Sequence, residues 1–458
     1  MDRRRFLYTL GVGTAGVMAL GGSSVFGKDP NPGDRKPNII FILADDLGYG
    51  DLGCYGQRLI ETPNIDALAA EGIRFTQCYA GSTVCAPSRC ALMTGLHTGH
   101  ARVRGNKLIP LRPRDVTIAE ILKGAGYTTA IIGKWGLGEP GTTGVPNLKG
   151  FDEWFGYLNQ RRAHNYYPEY LWRNTEKYWI KGNMNGKKGV YSHDLFTEEA
   201  LKFIRRNRGN PFFLYLAYTI PHANNELGRK TGNGMEVPSD EPYSDRSWPQ
   251  VEKNFAAMVT RMDRDVGRIV SLLKELGIDG ETVIFFSSDN GPHREGGHDP
   301  KFFKSSGPLR GIKRDLYEGG IRVPMIVRWP GKIKPGSVSD QVWAFWDFLP
   351  TAAEIAGVEP PRGIDGISML PALLGKEQGD HEYLYWEFYE RGFDQAVRMG
   401  DWKGVRHLDR KIELYNLSED IGERRNIAAD HLDIVNEISK IMREAHLDSP
   451  NFPIPRRR

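Results

Sequence analysis

The chain predicts an α/β fold: a large mixed, mostly parallel sheet sandwiched by helices, followed by a smaller C-terminal antiparallel sheet with a helix. Three features of the 458 residues carry that expectation. Four apolar runs stop abruptly in polar residues, helical patterns lie between them, and the composition changes near Leu374-Gly375.

The four runs are Asn38–Leu43 before Asp45-Asp46, Thr128–Ile132 before Lys134, Phe212–Ile220 before His222, and Thr282–Phe286 before Asp289-Asn290. Each is apolar throughout and does not alternate, as a strand buried on both faces of a parallel sheet requires. The clearest helix is Gln250–Leu276, where Phe255, Met258, Val259, Met262, Val266, Ile269, Leu272 and Leu273 recur at helical spacing. Alternation of the two element types places helices against the sheet.

Beyond the Pro360-Pro361 and Pro371 punctuation, short aromatic runs at Tyr383–Tyr389 and Ala396–Arg398 suit small antiparallel strands. The expected organisation is therefore a leader over residues 1–27, a catalytic domain over 28–374 and a small α+β subdomain over 375–458. Tyr157–Asn185, dense in Tyr, Trp, Arg and Lys, reads as a long loop or insertion.

The leader is expected because Arg3-Arg4-Arg5-Phe6-Leu7 precedes a Gly- and Ala-rich run of modest hydrophobicity. That is the layout of a twin-arginine export signal, and the run is too weakly apolar to span a bilayer. Export to the periplasm or exterior through that machinery follows as an expectation. Lys plus Arg number 61 against 57 Asp plus Glu, a net charge of +4, which argues against a nucleic-acid partner. The Arg456-Arg457-Arg458 end reads as a solvated tail. Four cysteines between Cys54 and Cys90 cannot staple a chain of this length, and free buried thiols are expected, with one bridge among Cys54, Cys78 and Cys90 left open.

Ligands bind outside the carboxyl ends of the strands in open α/β sheets, and all four polar clusters fall there. Asp45, Asp46, Asp289 and Asn290 supply oxygen donors only, which select calcium, or less readily magnesium, over zinc or copper. Adjacent acids at a strand end also serve as helix caps or turns. Cys85 precedes Pro87 and the helix-like Ser88–Thr94, so its side chain sits near a helix N-terminus, where free N–H groups favour anions. A buried structural thiol and a low-pKa thiolate nucleophile both fit that placement.

Cys85-Ala86-Pro87-Ser88-Arg89 followed by Met93-Thr94-Gly95 resembles the signature of the type I sulfatases, arylsulfatase-like members of the alkaline phosphatase superfamily. Further blocks match in the family's order: Leu43-Ala44-Asp45-Asp46-Leu47-Gly48-Tyr49-Gly50-Asp51, Gly133-Lys134-Trp135, Pro221-His222, Ser288-Asp289-Asn290-Gly291, Lys313, Glu318-Gly319-Gly320-Ile321-Arg322-Val323-Pro324, Asp365-Gly366 and Glu413-Leu414-Tyr415-Asn416-Leu417.

The resemblance implies an alkaline phosphatase-like fold and a nucleophile made by oxidising Cys85 to formylglycine, the work of a separate maturation enzyme. It further implies one calcium ion held by Asp45, Asp46, Asp289, Asn290 and the modified Cys85. Arg89 and Lys134 would support the charge of the nucleophile, and Lys313 and His222 would hold sulfate and help the alcohol leave. A hydrated aldehyde suits the task because one hydroxyl attacks sulfur while loss of the other's proton expels sulfate, whereas a serine would stay esterified. The implied activity is hydrolysis of sulfate esters, on an aryl sulfate or a sulfated carbohydrate whose rings the 157–185 segment could stack against. The alternatives are a phosphonate or phosphodiester hydrolase and an unmodified sulfatase-like binding protein.

One departure stands out. The family block Gly-Lys-Trp-His-Leu-Gly reads Gly133-Lys134-Trp135-Gly136-Leu137-Gly138 here, so the histidine credited with eliminating sulfate is missing. His97, His100 or His293 is expected to fill the volume, His100 because it follows the helix that begins at Cys85.

Overall fold

The computed structural model describes residues 35–455, of which 36–455 belong to one compact unit. The leader and the Arg456–Arg458 tail lie outside the described residues.

Eleven strands form the large sheet: β1 (Asn38–Ala44), β2 (Ile73–Tyr79), β3 (Thr128–Lys134), β4 (Glu153–Tyr157), β5 (Tyr170–Arg173), β6 (Glu176–Trp179), β7 (Phe212–Ala217), β8 (Thr282–Ser288), β9 (Arg322–Arg328), β10 (Ser337–Ser339) and β11 (Trp343–Ala344). Their order is β10-β2-β9-β8-β1-β7-β3-β4-β5-β6, with β11 on β2. The central run β8-β1-β7-β3-β4 is parallel throughout, and β9 and β5 join it antiparallel on either side.

Because side chains alternate across a strand, each central strand feeds two cores at once. Ile40, Ile42, Leu214 and Leu216 point into one layer with Phe255, Met262 and Ile269 of the Gln250–Glu275 helix. Ile39, Phe41, Leu43 and Phe213 point into the other, against the Cys85–Thr94 and Phe348–Ile355 helices. Phe41 stacks on Phe285 with centroids 5.9 Å apart and meets Phe348 edge-on at 4.6 Å. Truncating such a residue costs about 3–5 kcal/mol.

A four-stranded antiparallel sheet follows, formed by β12 (Leu384–Phe388), β13 (Asp394–Met399), β14 (Trp402–Arg406) and β15 (Glu413–Asn416) in sequential order. The amphipathic helix Leu432–Glu444 covers it through Ile438, Ile441 and Met442.

The 157–185 segment corrects the sequence reading. It is no plain loop: β5 and β6 form a hairpin that extends the large sheet, turning at Asn174 with φ 52°. The strands are four residues long and β6 is exposed throughout, so no apolar run marks them. All four cysteines are free thiols.

Candidate active site

The carboxyl ends of β1, β3 and β8, the turn after β7 and the start of the Cys85–Thr94 helix meet at one point. Asp45 and Asp46 follow β1 directly, and Asp46 takes a left-handed φ of 67°, a strained conformation that turns its carboxylate toward β8. The backbone N–H of Asp46 donates to Asp289 Oδ1 at 3.1 Å, fixing that turn. Cys85 is the first residue of a helix whose ten residues are all buried and which ends at Gly95, φ 71°. Its thiol donates to Asp45 Oδ1 at 3.2 Å and lies 4.0 Å from Asp46 Oδ1.

Three cations answer the three carboxylates. Arg89, one helical turn after Cys85, donates through Nε and Nη2 to Asp289 Oδ2 at 3.0 and 2.8 Å, and through Nη1 to the Lys134 carbonyl at 2.7 Å. Lys134 Nζ sits 2.6 Å from Asp45 Oδ2, and Lys313 Nζ 2.6 Å from Asp46 Oδ2. The His222 Nδ1–H donates to the Ala223 carbonyl at 2.7 Å. Its Nε2 therefore faces Lys313 Nζ, 3.1 Å away, as an acceptor.

Electrostatics follow from this crowding. Burial pushes the Asp289 carboxyl up to about 6, and the neighbouring Asp45 adds to the rise. Burial also raises Asp45 and Asp46, yet Lys134 and Lys313 respectively outweigh it and hold both low. Burial, then Lys313, depresses His222 to about 3, so the ring is neutral near pH 7. The Cys85 thiol is pushed well up by burial and by Asp289 and Asp45, which leaves it a poor thiolate nucleophile.

A hard cation fits here. Asp45, Asp46 and Cys85, together with His222, bring potential ligand atoms within 4.8 Å of one another. Asn290 donates Nδ2 to Asp46 Oδ1 at 2.8 Å, while its Oδ1 is buried with no hydrogen-bond partner. An orphaned buried carbonyl beside clustered carboxylates is the donor set of an oxygen-ligated cation.

The sequence-predicted Asp45, Asp46, Cys85, Arg89, Lys134, His222, Asp289, Asn290 and Lys313 are thus brought together. His97 and His100 are not. They lie beyond the far end of a ten-residue helix, which carries the chain about 15 Å away from Cys85. There they form a separate group, with His100 Nδ1 2.8 Å from Asp365 Oδ1. His293 stacks on His222 at 6.0 Å, but its ring is used by the backbone: Nδ1 accepts from the Glu295 N–H at 3.0 Å and Nε2–H donates to the Pro221 carbonyl at 3.2 Å.

Several residues had escaped the sequence reading. Glu295 lies 3.5 Å from Lys313 Nζ; burial pushes its carboxyl up, but Lys313 and His222 hold it low. Asn106 accepts the Ala86 N–H at 3.0 Å beside Cys85. His164 stacks on His222 at 4.8 Å and pairs through Nδ1 with Glu226 at 3.0 Å. All are single polar residues in irregular segments, and the one available signal is Glu295's place in the loop that begins at Asn290.

A cleft of about 920 Å³ adjoins the site at Asn106, the acceptor for the N–H next to Cys85, and is lined mostly by polar residues, among them Gln160, Arg161, Arg162, Lys188 and Lys230. A sheet of this order, a buried carboxylate and amide cluster at its strand ends and a cysteine at a helix start are the arrangement that the resemblance to the sulfatases implies.

Comparison with known proteins agrees. The sulfatase family model matches residues 37–358, and a model of the N-sulphoglucosamine sulphohydrolase C-terminal region matches 312–448. The chain is 36% identical over 413 residues to the N-acetylgalactosamine-6-sulfatase of Sus scrofa, covering 84% of this chain and 74% of that one. It is 30% identical to the N-acetylgalactosamine-6-O-sulfatase of Bacteroides thetaiotaomicron, covering 91% and 94%. The solved structure of Ps i-CgsB in complex with k-i-k-neocarrahexaose superposes with a TM-score of 0.78 at 29% identity, covering 92% and 95%. The chain belongs to the sulfatase family and is a sulfuric ester hydrolase.

Proposed function

We propose that this enzyme removes sulfate from a sulfated carbohydrate, with a formylglycine made from Cys85 and a calcium ion held by Asp45, Asp46, Asp289 and Asn290. The observation that carries the substrate class is the cleft: about 920 Å³, lined by polar or charged residues apart from Leu108 and Leu227, with Arg161, Arg162, Lys188 and Lys230 together with Glu226 and Glu236 in its wall. That volume exceeds one sugar ring, and its chemistry suits hydroxyls and anionic groups better than an apolar aryl or steroid body. The activities for which the Sus scrofa and Bacteroides relatives are named, and the oligosaccharide bound to the structural neighbour, support the same class.

When bound, a calcium ion would offset charge on sulfuryl oxygens, and the aldehyde hydrate would supply the attacking hydroxyl. The chain's own side chains do the rest. Arg89 fixes Asp289 through two nitrogens and so holds the cation ligands in place. Lys134 and Lys313, each on a long stem, reach the same volume from β3 and from the loop before β9, and offer positive charge to a sulfate. His222, oriented by the Ala223 carbonyl, presents Nε2 to the Lys313 ammonium and fixes its direction, so that another Nζ–H of Lys313 can give its proton to a departing alkoxide. Closed packing around Cys85 excludes bulk water.

The Arg3-Arg4-Arg5 start supports export through the twin-arginine machinery, after a maturation enzyme has acted on Cys85. Two measurements test the proposal. A peptide mass spectrum across Cys85 should show the aldehyde, and an unmodified thiol throughout would overturn the mechanism. Sulfated oligosaccharides should be desulfated with a higher kcat/KM than 4-nitrophenyl sulfate, and the reverse order would overturn the substrate class.

A further inference from the structure

Position 136 is where the family signature carries a histidine, and this chain has a glycine there with φ +87°. The volume is nonetheless filled. A Cβ built on Gly136 would lie 2.0 Å from Nε2 of Gln160, so the Gln160 amide occupies the space that a side chain at 136 would enter. The two are held together by the backbone, since the Gly136 N–H donates to the Leu158 carbonyl at 2.9 Å and the Trp135 N–H to the Tyr157 carbonyl at 3.0 Å. Gln160 therefore reaches the place of the missing histidine from the strand next door, from the turn after β4 in place of the turn after β3.

Its amide is not consumed by the protein. Both Nε2 and Oε1 are buried, and neither has a hydrogen-bond partner among the described residues. Unmade hydrogen bonds on a buried amide are costly, and a folded chain retains them where a ligand completes them. The ligand direction is set by the cleft, whose wall holds Gln160 together with Asn106, the acceptor for the N–H next to Cys85.

We infer that Gln160 is a further residue of the reaction centre, hydrogen-bonding through its carboxamide to the reacting sulfate group in the place that position 136 leaves vacant. The inference rests on the sulfatase assignment of this site. A carboxamide donates and accepts hydrogen bonds but does not take up a proton, so Gln160 orients the reacting group and does not replace the histidine as a base. Gly136 and Gln160 are then one coupled feature: a side chain at 136 displaces the Gln160 amide from the place it now holds.

The test is a two-by-two set of variants at positions 136 and 160 in enzyme whose Cys85 has been matured, read by sulfate release. Wild-type release is measured first, on 4-nitrophenyl sulfate and on sulfated oligosaccharides, and the variants are read on whichever is turned over; a wild type inactive on both would overturn the assignment and the inference with it. With active wild type, Gln160→Ala should lower kcat roughly tenfold to a hundredfold, with KM within about threefold and the melting temperature unchanged. Gly136→His alone should also lose activity, because it displaces the Gln160 amide and puts a side chain on a backbone at φ +87°. Combining the two should restore at least about tenfold over Gln160→Ala alone. Wild-type kcat in Gln160→Ala, or a double variant no faster than the product of the singles, would overturn the inference. Should Gln160→Ala fail to fold, the isosteric Gln160→Glu places an anion against the sulfate and should depress kcat/KM further still; wild-type kcat/KM in that variant would overturn it too.

Discussion

Two buried ionic clusters in this molecule use the same side-chain chemistry to opposite ends. At the reaction centre Asp45, Asp46 and Asp289 face Arg89, Lys134 and Lys313. Between the large and small sheets, Glu318 and Glu423 face Lys403, Arg322 and Arg398, all nearly inaccessible. In the second cluster Glu318 is answered on every side: it takes Lys403 at 2.7 Å, Arg322 at 3.2 Å and the Tyr79 hydroxyl at 2.7 Å, and its N–H donates to Glu423 Oε2 at 2.7 Å, while Glu423 Oε1 lies 3.6 Å from Lys403 Nζ with no hydrogen bond among the described residues. Burial raises Glu318, but Lys403 and the two arginines hold it down at about 2. In the first cluster, carboxylates crowd one another, Asn290 Oδ1 is left over, and a polar cleft adjoins. Charge answered within the cluster, as around Glu318, joins two sheets; carboxylates crowded together beside a cleft are available to a cation and a substrate.

The sharpest way to break this contrast is at Cys85. Cys85→Ala should abolish sulfate release, by roughly 10⁴-fold or more, while leaving the urea midpoint close to wild type. Next, removing the cation with a chelator, or one ligand by Asp289→Asn, should cost about a hundredfold or more in kcat/KM. Calcium should restore the chelated enzyme and not the variant, with metal content measured alongside.

At the closed cluster the expected loss moves from activity to stability. Glu318→Gln leaves Lys403 and Arg322 under-answered and should cost about 3–5 kcal/mol by urea unfolding, with kcat of the folded fraction unchanged. A fall in kcat without a fall in stability would erase the distinction between the clusters.

The smallest effect concerns Glu423, which burial, helped by Glu318, pushes from its ordinary 4.5 to about 7. A raised carboxyl keeps its proton in the fold after the unfolded chain has lost it. Stability from this group is therefore complete below about pH 4.5 and declines as pH rises toward 7. Glu423→Gln should flatten that part of the stability profile, and an unchanged slope between wild type and variant would count against the shift.

Much of this was legible before any coordinates. Asn38–Leu43 and Thr282–Phe286 could be read as strands because a strand buried on both faces has no polar position to confuse the pattern, and the acids that end them mark the ligand edge of the sheet. Asp46 and Asn290 were visible for that reason. Gln160, Asn106 and His164 were not, because each is one polar residue in an irregular turn, placed by which strand lies beside which. The pairing of β3 with β4 that brings Gln160 to Gly136 is non-local, and no periodicity in either segment encodes it. The β5–β6 hairpin was missed for a related cause: four-residue strands with an exposed face look like any Tyr- and Lys-rich loop.

Cys85 is 2% exposed, at the start of a helix buried along its whole length. On the proposed chemistry this fixes an order of events. No second enzyme can grip the Cys85–Arg89 stretch once the sheet has closed over it, so oxidation has to run ahead of folding. On that chemistry, a chain that folded with its thiol intact would remain an inert look-alike, and maturation enzyme added to the folded form would not rescue it.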